Sequence, residues 1–225
     1  MLVLAEHDKN HTQYVEAAKL WLDRFAADND FAVDYFESPK DVDDEFLSKY
    51  KVIFQMNYPP YMWSDTAKAA FEKYIDEGHG GWVGVHHATL LGEFDGYRMW
   101  DWFSDFMGNI RFKDYIATFA SGVVEVEANS HPVMKGIPGE FTIQKDEWYT
   151  YDRTNRADVT VLASVDESRY TPRTTKTMGD HPVIWTNHNK KARNVYIFMG
   201  HDPGLFMNDV YKKLLGNALL WASGK

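Results

Sequence analysis

The first 85 residues alternate between short apolar runs and amphipathic segments, and this order restricts the fold more than any other feature. Four apolar runs are expected to be buried strands: residues 2–4, 31–36, 52–54 and 82–85. Between the first two, Val15, Ala18, Leu22 and Phe25 recur at spacings of 3, 4 and 3, which is typical of a helix with one buried face. A weaker acidic helix is expected near 43–50, and Ser64 and Gly78 are expected to cap a further helix.

The order β-α-β-α-β-α-β predicts an α/β fold with a doubly wound, mainly parallel sheet and helices on both faces. In such a sheet the ligand crevice lies beyond the carboxyl ends of the strands. The polar segments 6–11, 57–61 and 86–87 each follow a predicted strand. We therefore expect their side chains to meet at one edge of the sheet.

The second half of the chain has a different pattern. Residues from about 95 to 155 are rich in aromatic side chains and read as a covering insertion with some β character. Later apolar runs predict returning strands at 159–165, 181–186 and 194–199, and a closing amphipathic helix begins near Tyr211. Because no repeat, linker or low-complexity tract interrupts the sequence, we expect residues 1–225 to form a single domain.

Composition excludes several functional classes. The 225 residues carry 24 lysines and arginines against 33 aspartates and glutamates, a net charge of −9 that argues against nucleic acid or an anionic membrane as the partner. No apolar run reaches the roughly 18–20 residues of a membrane span. No signal-peptide pattern is visible, which leaves cytoplasm and periplasm both open, and the oligomeric state, a homo-oligomer included, is open as well.

The segment Gly84-Val85-His86-His87-Ala88 has the outline of a nucleophile elbow. In that arrangement, small residues two positions before and after the central one allow a sharp strand-to-helix turn, which presents the central side chain to the crevice. The central residue here is a histidine, which can accept a proton, donate one or bind a metal. The simpler interpretation is a polar residue at a strand end that bonds to a neighbouring loop.

Five short motifs occur in a fixed order along the chain. They are Gly80-Gly81-x3-Val85-His86-His87-Ala88-Thr89, Ser130-His131-Pro132-Val133-x2-Gly136-Ile137-Pro138, Asp146-Glu147-Trp148-Tyr149, Pro182-Val183-x-Trp185 and Gly200-His201. Together they resemble the ThuA-like (trehalose utilisation) family over nearly the whole chain. The resemblance implies a flavodoxin-like three-layer α/β/α sandwich of the class I glutamine amidotransferase-like type. It also implies a role in disaccharide or oxidised-sugar metabolism.

The sequence departs from true glutamine amidotransferases at the decisive position. Those enzymes need a cysteine at the elbow, whereas this chain has no cysteine and places His86 there. Glutamine hydrolysis through a thioester is therefore excluded. His201 falls roughly where the amidotransferase histidine would fall, so it is expected to face His86. Adjacent residues of an extended segment point to opposite sides, so only one of Asp146 and Glu147 is expected to face the crevice. The family motif favours Glu147.

These arguments predict His86, Glu147 and His201 as catalytic residues. Aromatic and polar side chains near the same edge, or in the family motifs, are expected to contact substrate: Glu6, His11, Tyr58, Tyr61, Trp63, His87, His131 and Trp148. Aromatic faces suit stacking on sugar rings. No fixed-spacing metal motif such as HExxH is present, so no cofactor is assigned, although distant residues such as His86, His201 and Glu147 could assemble a divalent-metal site.

The leading hypothesis is a carbohydrate-active enzyme that uses histidine–carboxylate acid–base chemistry on a small sugar. Proton abstraction beside a sugar carbonyl would give isomerisation or elimination, and an activated water would give hydrolysis. Two alternatives stay open: a non-catalytic sugar- or metabolite-binding protein that kept the crevice, and a metal-dependent hydrolase.

Overall fold

The computed structural model describes residues 1–5 and 8–225 and contains a large mixed sheet. The strands in this part of the chain are β1 (Leu2–Ala5), β2 (Asp34–Phe36), β3 (Val52–Met56), β4 (Gly81–Val85), β5 (Phe112–Tyr115), β6 (Ala120–Val126), β7 (Glu140–Asp146), β8 (Tyr149–Tyr151), β9 (Thr160–Thr171), β10 (Pro182–Thr186) and β11 (Asn194–Ile197). The helices are α1 (Thr12–Asp28), α2 (Asp44–Leu47), α3 (Asp65–Glu77), α4 (Asp101–Phe106) and α5 (Asp209–Ser223).

Nine strands form the central sheet in the order β2-β1-β3-β4-β11-β10-β9-β6-β7. The first five run parallel, and β10, β9, β6 and β7 extend the sheet through antiparallel pairs. The predicted α/β fold with a doubly wound parallel sheet is confirmed. Parallel β1, β3, β4 and β11 all end at the same edge, where the crevice was expected.

Successive residues of β4 face opposite sides of the sheet, and each side is covered by a helix. A Cβ atom at Gly81 would lie 2.1 Å from the carbonyl oxygen of Ala222, so this position faces α5. The next side chain, Trp82, points to the other face and contacts Phe103 and Phe106 of α4. The sheet is thus the middle layer of a three-layer α/β/α sandwich.

The helices predicted in the first half are present, although α2 (Asp44–Leu47) is shorter than the expected 43–50. Tyr14, Val15, Ala18 and Leu22 form the buried stripe of α1. The hydroxyl of Ser64 accepts a hydrogen bond from the backbone N–H of Ala67 at 3.2 Å, and α3 ends at a glycine, Gly78, in the left-handed conformation. These local signals fix where each early strand can begin and end.

The aromatic-rich segment from about 95 to 155 contributes to two sheets. Its strands β6 and β7 lie in the central sheet, whereas β5 and β8 pair in a separate two-stranded sheet. Its helix α4 packs Phe103 against Phe71 and Trp82. None of the helices in the described residues is long and apolar enough to cross a lipid bilayer.

Candidate functional site: a buried histidine cluster

Loops after three parallel strands bring histidines to the carboxyl edge of the sheet. His11 immediately precedes α1 and follows β1, His86 follows β4 directly, and His201 follows β11. His11 and His86 are buried, whereas His87 and His201 are partly exposed. Several imidazole side chains therefore lie at the edge of the sheet where the crevice was predicted.

The turn at His86 is as sharp as the elbow pattern predicts. Strand β4 ends at Val85, a single 3₁₀ turn begins at His86, and His86 has a φ of 48°. A left-handed backbone at a residue with a side chain costs on the order of 1–3 kcal/mol, so surrounding contacts must hold it. The hydroxyls of Tyr149 and Tyr196 do so by donating to the His86 carbonyl at 2.6 and 2.9 Å.

Four imidazole rings pack against one another in this cluster. The ring centroid of His11 lies 4.1 Å from that of His87, 4.6 Å from that of His201 and 5.4 Å from that of His86. His86 stacks on His87 at 4.7 Å and lies 5.4 Å from His201. We call His11, His86, His87 and His201 the histidine cluster.

Glu147 brings a carboxylate to the histidine cluster. Its Oε2 lies 3.4 Å from Nε2 of His86. Neither ring nitrogen of His86 makes a hydrogen bond of good geometry with any described residue. The Glu147 side chain is 19% exposed and that of His86 is fully buried, so Glu147 is the member of this pair that solvent reaches.

Burial changes the protonation of these groups. Desolvation, followed by the neighbouring His87, His11 and His201, lowers the pKa of His86 well below its usual value. A weak interaction with the Phe198 backbone opposes that shift. Burial, with His11 and His87, also lowers the pKa of His201 to about 4. These two imidazoles are therefore neutral at pH 7. Burial raises the pKa of Glu147.

Asp8 orients His11 and is a supporting residue that the sequence analysis missed. Its Oδ1 lies 2.8 Å from Nδ1 of His11 and accepts the backbone N–H of His11 at 2.8 Å. Burial acts to raise the pKa of Asp8, but the hydrogen bonds and charge of His11 prevail and lower it. The carboxylate favours a proton on Nδ1 of His11 and so fixes the orientation of the ring. The Asp-x-x-His spacing before α1 was the available signal.

Asp146 supports the opposite side of the cluster. It is fully buried, and its two oxygens accept backbone N–H groups from Gly200, His201 and Asp202, each at 3.0 Å. Burial raises its pKa to about 7, against the effect of these donors. Asp146 and Glu147 thus point to different sides, as their adjacency predicts, and only Glu147 faces His86.

Asn57 is a further supporting residue of the carboxyl edge. It follows β3 with a φ of 62°, and its amide nitrogen donates to the Gly200 carbonyl at 2.8 Å. Its position immediately after a buried strand was the available sequence signal. Asn57 and Asp146 together fix the loop that carries His201.

Other predicted substrate contacts lie away from the histidine cluster. Trp63 is buried in the core against Phe71 and Trp100, so a sugar ring cannot stack on it without a rearrangement. Trp148 is fully buried, and its N–H donates to the Ala120 carbonyl. His131 accepts the backbone N–H of Val133 and packs on Trp221, near the start of β11 at the opposite edge of the sheet. Each of these three side chains is held by packing within the protein, and none of them joins the histidine cluster.

The remaining predicted residues follow β1 or β3. Tyr58 and Tyr61 are both nearly buried, and Tyr61 packs against Phe94 and Tyr97. Glu6 lies outside the described residues. The structure therefore brings together five of the predicted residues: His11, His86, His87, Glu147 and His201.

Comparison with known proteins agrees with this architecture. The family model described as trehalose utilisation, ThuA, matches residues 1–222. The chain belongs to the ThuA family. A search among proteins of curated function found no match.

Solved structures of other ThuA-like proteins resemble this ThuA-family chain over its full length. A ThuA-like protein from Bacteroides uniformis is 29% identical, with a TM-score of 0.86 over 98% of this chain and 90% of that one. One from Parabacteroides merdae is 20% identical, with a TM-score of 0.71 over 100% and 90% of the two chains. A β-galactosidase from Bacillus circulans shares the fold at 17% identity and a TM-score of 0.60, over 96% of this chain and 30% of its own.

Proposed function

We propose that this chain is a carbohydrate-active enzyme in which His86, Glu147 and His201 form one centre that moves protons to or from a sugar or a water molecule. Membership of the ThuA family gives the chain a carbohydrate-related role. The observation that carries the proposal is the 3.4 Å approach of the Glu147 carboxylate to Nε2 of the buried His86. General acid–base catalysis requires groups such as histidine and carboxylate that a substrate can reach. Glu147 and His201 are both partly exposed.

Exposure assigns different tasks to the three side chains. Glu147 and His201 are reachable from solvent, so we place the substrate against them. His86 is fully buried, so its ring does not touch a sugar bound at the surface. We therefore propose that His86 holds and tunes the Glu147 carboxylate, while Glu147 and His201 meet the substrate.

The protonation states of His86, His201 and Glu147 at neutral pH suit these groups to accept a proton. The imidazoles of His86 and His201 are neutral, and burial raises the proton affinity of Glu147. A base with a pKa moved toward the working pH is more effective than an unperturbed carboxylate. Abstraction of a proton beside a sugar carbonyl gives isomerisation or elimination, and deprotonation of water gives hydrolysis.

An aromatic pair offers a contact for the sugar ring. Tyr61 follows β3 at the carboxyl edge, its hydroxyl lies 3.5 Å from a carboxylate oxygen of Asp95, and its ring lies 5.8 Å from that of Tyr97. Tyr97 is 49% exposed. Because Tyr61 is nearly buried like Trp63, we propose the exposed ring of Tyr97, packed against Tyr61, as the surface on which a sugar stacks.

The test is a product screen by NMR in D₂O, with trehalose, other disaccharides and their keto derivatives. Deuterium at the carbon beside a carbonyl would identify proton abstraction, and release of monosaccharides would identify hydrolysis. Either result supports the proposal. A sugar that raises the melting temperature without any product would instead indicate a binding protein and contradict it.

A further inference from the structure

We propose that His86, Glu147 and His201 bind one divalent transition-metal ion of the zinc type. This inference deepens the proposed function, because it concerns the same three side chains, and it rests on their geometry and not on the identity of the substrate. With the ion bound, Glu147 would be a ligand, and the ion would activate the water or sugar oxygen in place of the free carboxylate. One ligand atom from each residue lies within 4.8 Å of the ligand atoms of the other two.

The contact between His86 and Glu147 has the dimensions of two ligands on one ion. Nε2 and Oε2 are 3.4 Å apart and do not form a hydrogen bond of good geometry. Two atoms bound tetrahedrally at about 2.0–2.1 Å from a zinc ion are roughly 3.3 Å apart. The observed distance is long for a charge-assisted hydrogen bond and close to the spacing that a shared ion imposes.

The third ligand fits the same arrangement. The rings of His86 and His201 have centroids 5.4 Å apart at an interplanar angle of 83°, and two imidazoles bound to one tetrahedral ion have centroids roughly 5 Å apart. Within the described residues, buried Nδ1 of His201 and both nitrogens of fully buried His86 make no hydrogen bond of good geometry. A buried nitrogen without such a bond destabilises the folded state, and coordination of an ion would offset that cost.

The surrounding residues match the support that metal ligands receive. The backbone of His201 is held by the buried Asp146 carboxylate. His11 lies beside the three ligands and bonds through Nδ1 to Asp8, an arrangement that is common for histidines at metal sites. Two imidazoles and one carboxylate suit zinc, iron, cobalt or nickel better than magnesium or calcium, which prefer oxygen ligands. Because the Glu147 side chain is 19% exposed, water or a sugar oxygen could reach an ion held by these residues.

The experiment is a titration of the full-length, chelator-treated protein with Zn²⁺, followed by calorimetry, and with Co²⁺, followed by its visible spectrum. We expect one ion per chain and a Co²⁺ spectrum typical of nitrogen and oxygen ligands. Glu147→Gln and His86→Ala should each weaken Zn²⁺ binding by more than about 100-fold, beyond the 10–100-fold that loss of a supporting residue causes. Glutamine has nearly the same shape as glutamate, and Glu147 is partly exposed, so we expect the Glu147→Gln protein to fold. This variant therefore tests the proposal even if His86→Ala does not fold.

The matched control is His79→Gln. His79 is exposed and lies outside the histidine cluster, and its Nε2 is 2.7 Å from Oε2 of Glu77. This variant should bind Zn²⁺ as the wild type does. Absence of saturable binding by the wild type, or equal binding by Glu147→Gln and the wild type, would overturn the inference. Binding of one ion by a protein that turns over no carbohydrate would support the metal site and contradict the proposed function; turnover with no metal bound would do the reverse.

Discussion

Nε2 of His86 and Oε2 of Glu147 lie 3.4 Å apart, although the two residues are 61 positions apart in the sequence. The first stands on the turn after the central parallel strand β4, and the second on the link between β7 and β8. The contact therefore joins the parallel half of the sheet to the aromatic-rich segment from about 95 to 155. Its geometry depends on the loops behind both residues, and those loops provide the following tests.

Gly200→Ala should displace His86. A Cβ atom at position 200 would lie 2.8 Å from Cβ of His86 and 3.2 Å from that of Val85, and neither backbone can move freely. Overpacking of this kind costs about 1–3 kcal/mol. Urea unfolding should show that loss, and Zn²⁺ affinity should fall with it. Gly139→Ala is the control, because its Cβ would meet nothing within 4 Å; equal behaviour of the two variants would contradict the close packing behind His86.

Asp146→Asn should loosen the loop that carries His201. The two carboxylate oxygens accept three backbone N–H groups, and an amide nitrogen would have to face at least one of these donors. We expect a loss of about 1–3 kcal/mol in the free energy of unfolding and weaker Zn²⁺ binding. Asp105→Asn, on the exposed side of α4, should change neither quantity. A fully stable Asp146→Asn variant would show that the carboxylate does not hold the loop.

Glu167 should make the protein sensitive to acid. This buried carboxylate lies 3.0 Å from Nδ1 of His181 and accepts the backbone N–H groups of Met178 and Gly179. Burial acts to raise its pKa, but these hydrogen bonds prevail and lower it below the usual value of 4.5.

Because the folded state holds fewer protons on Glu167 than the unfolded chain does, the stabilisation is complete above pH 4.5 and is lost as the pH falls below it. Urea unfolding of the wild type and Glu167→Gln should therefore differ at pH 7 and converge in acid. A constant difference from pH 7 to pH 3.5 would contradict this role.

Much of the fold could be predicted because its signals are local. The apolar spacing of α1, the serine cap of α3 and the short apolar strands each depend on a few neighbouring residues. The elbow was predictable for the same reason, since Gly84 and Ala88 flank His86 at fixed distances in sequence. Once the strands are parallel, their carboxyl ends must share an edge, and this brings His11, His86 and His201 together.

The supporting residues could not be predicted in this way. Asp146 bonds to backbone groups 54 to 56 positions away, and Asn57 to one 143 positions away, so no local pattern reports either contact. The burial of the aromatic residues could not be predicted for a related reason. Trp63 and Trp148 have the chemistry to stack on a sugar, but the packing of distant elements decides that both are buried.

The most direct test of the account is the kcat/KM of Glu147→Gln on a sugar substrate found in the product screen, with His79→Gln as control. We predict that Glu147→Gln loses at least about 100-fold, the scale on which removal of a proton-transferring group acts, while its melting temperature and that of the control stay close to the wild-type value. Wild-type kcat/KM in a correctly folded Glu147→Gln protein would contradict the claim that this carboxylate and His86 form the working centre.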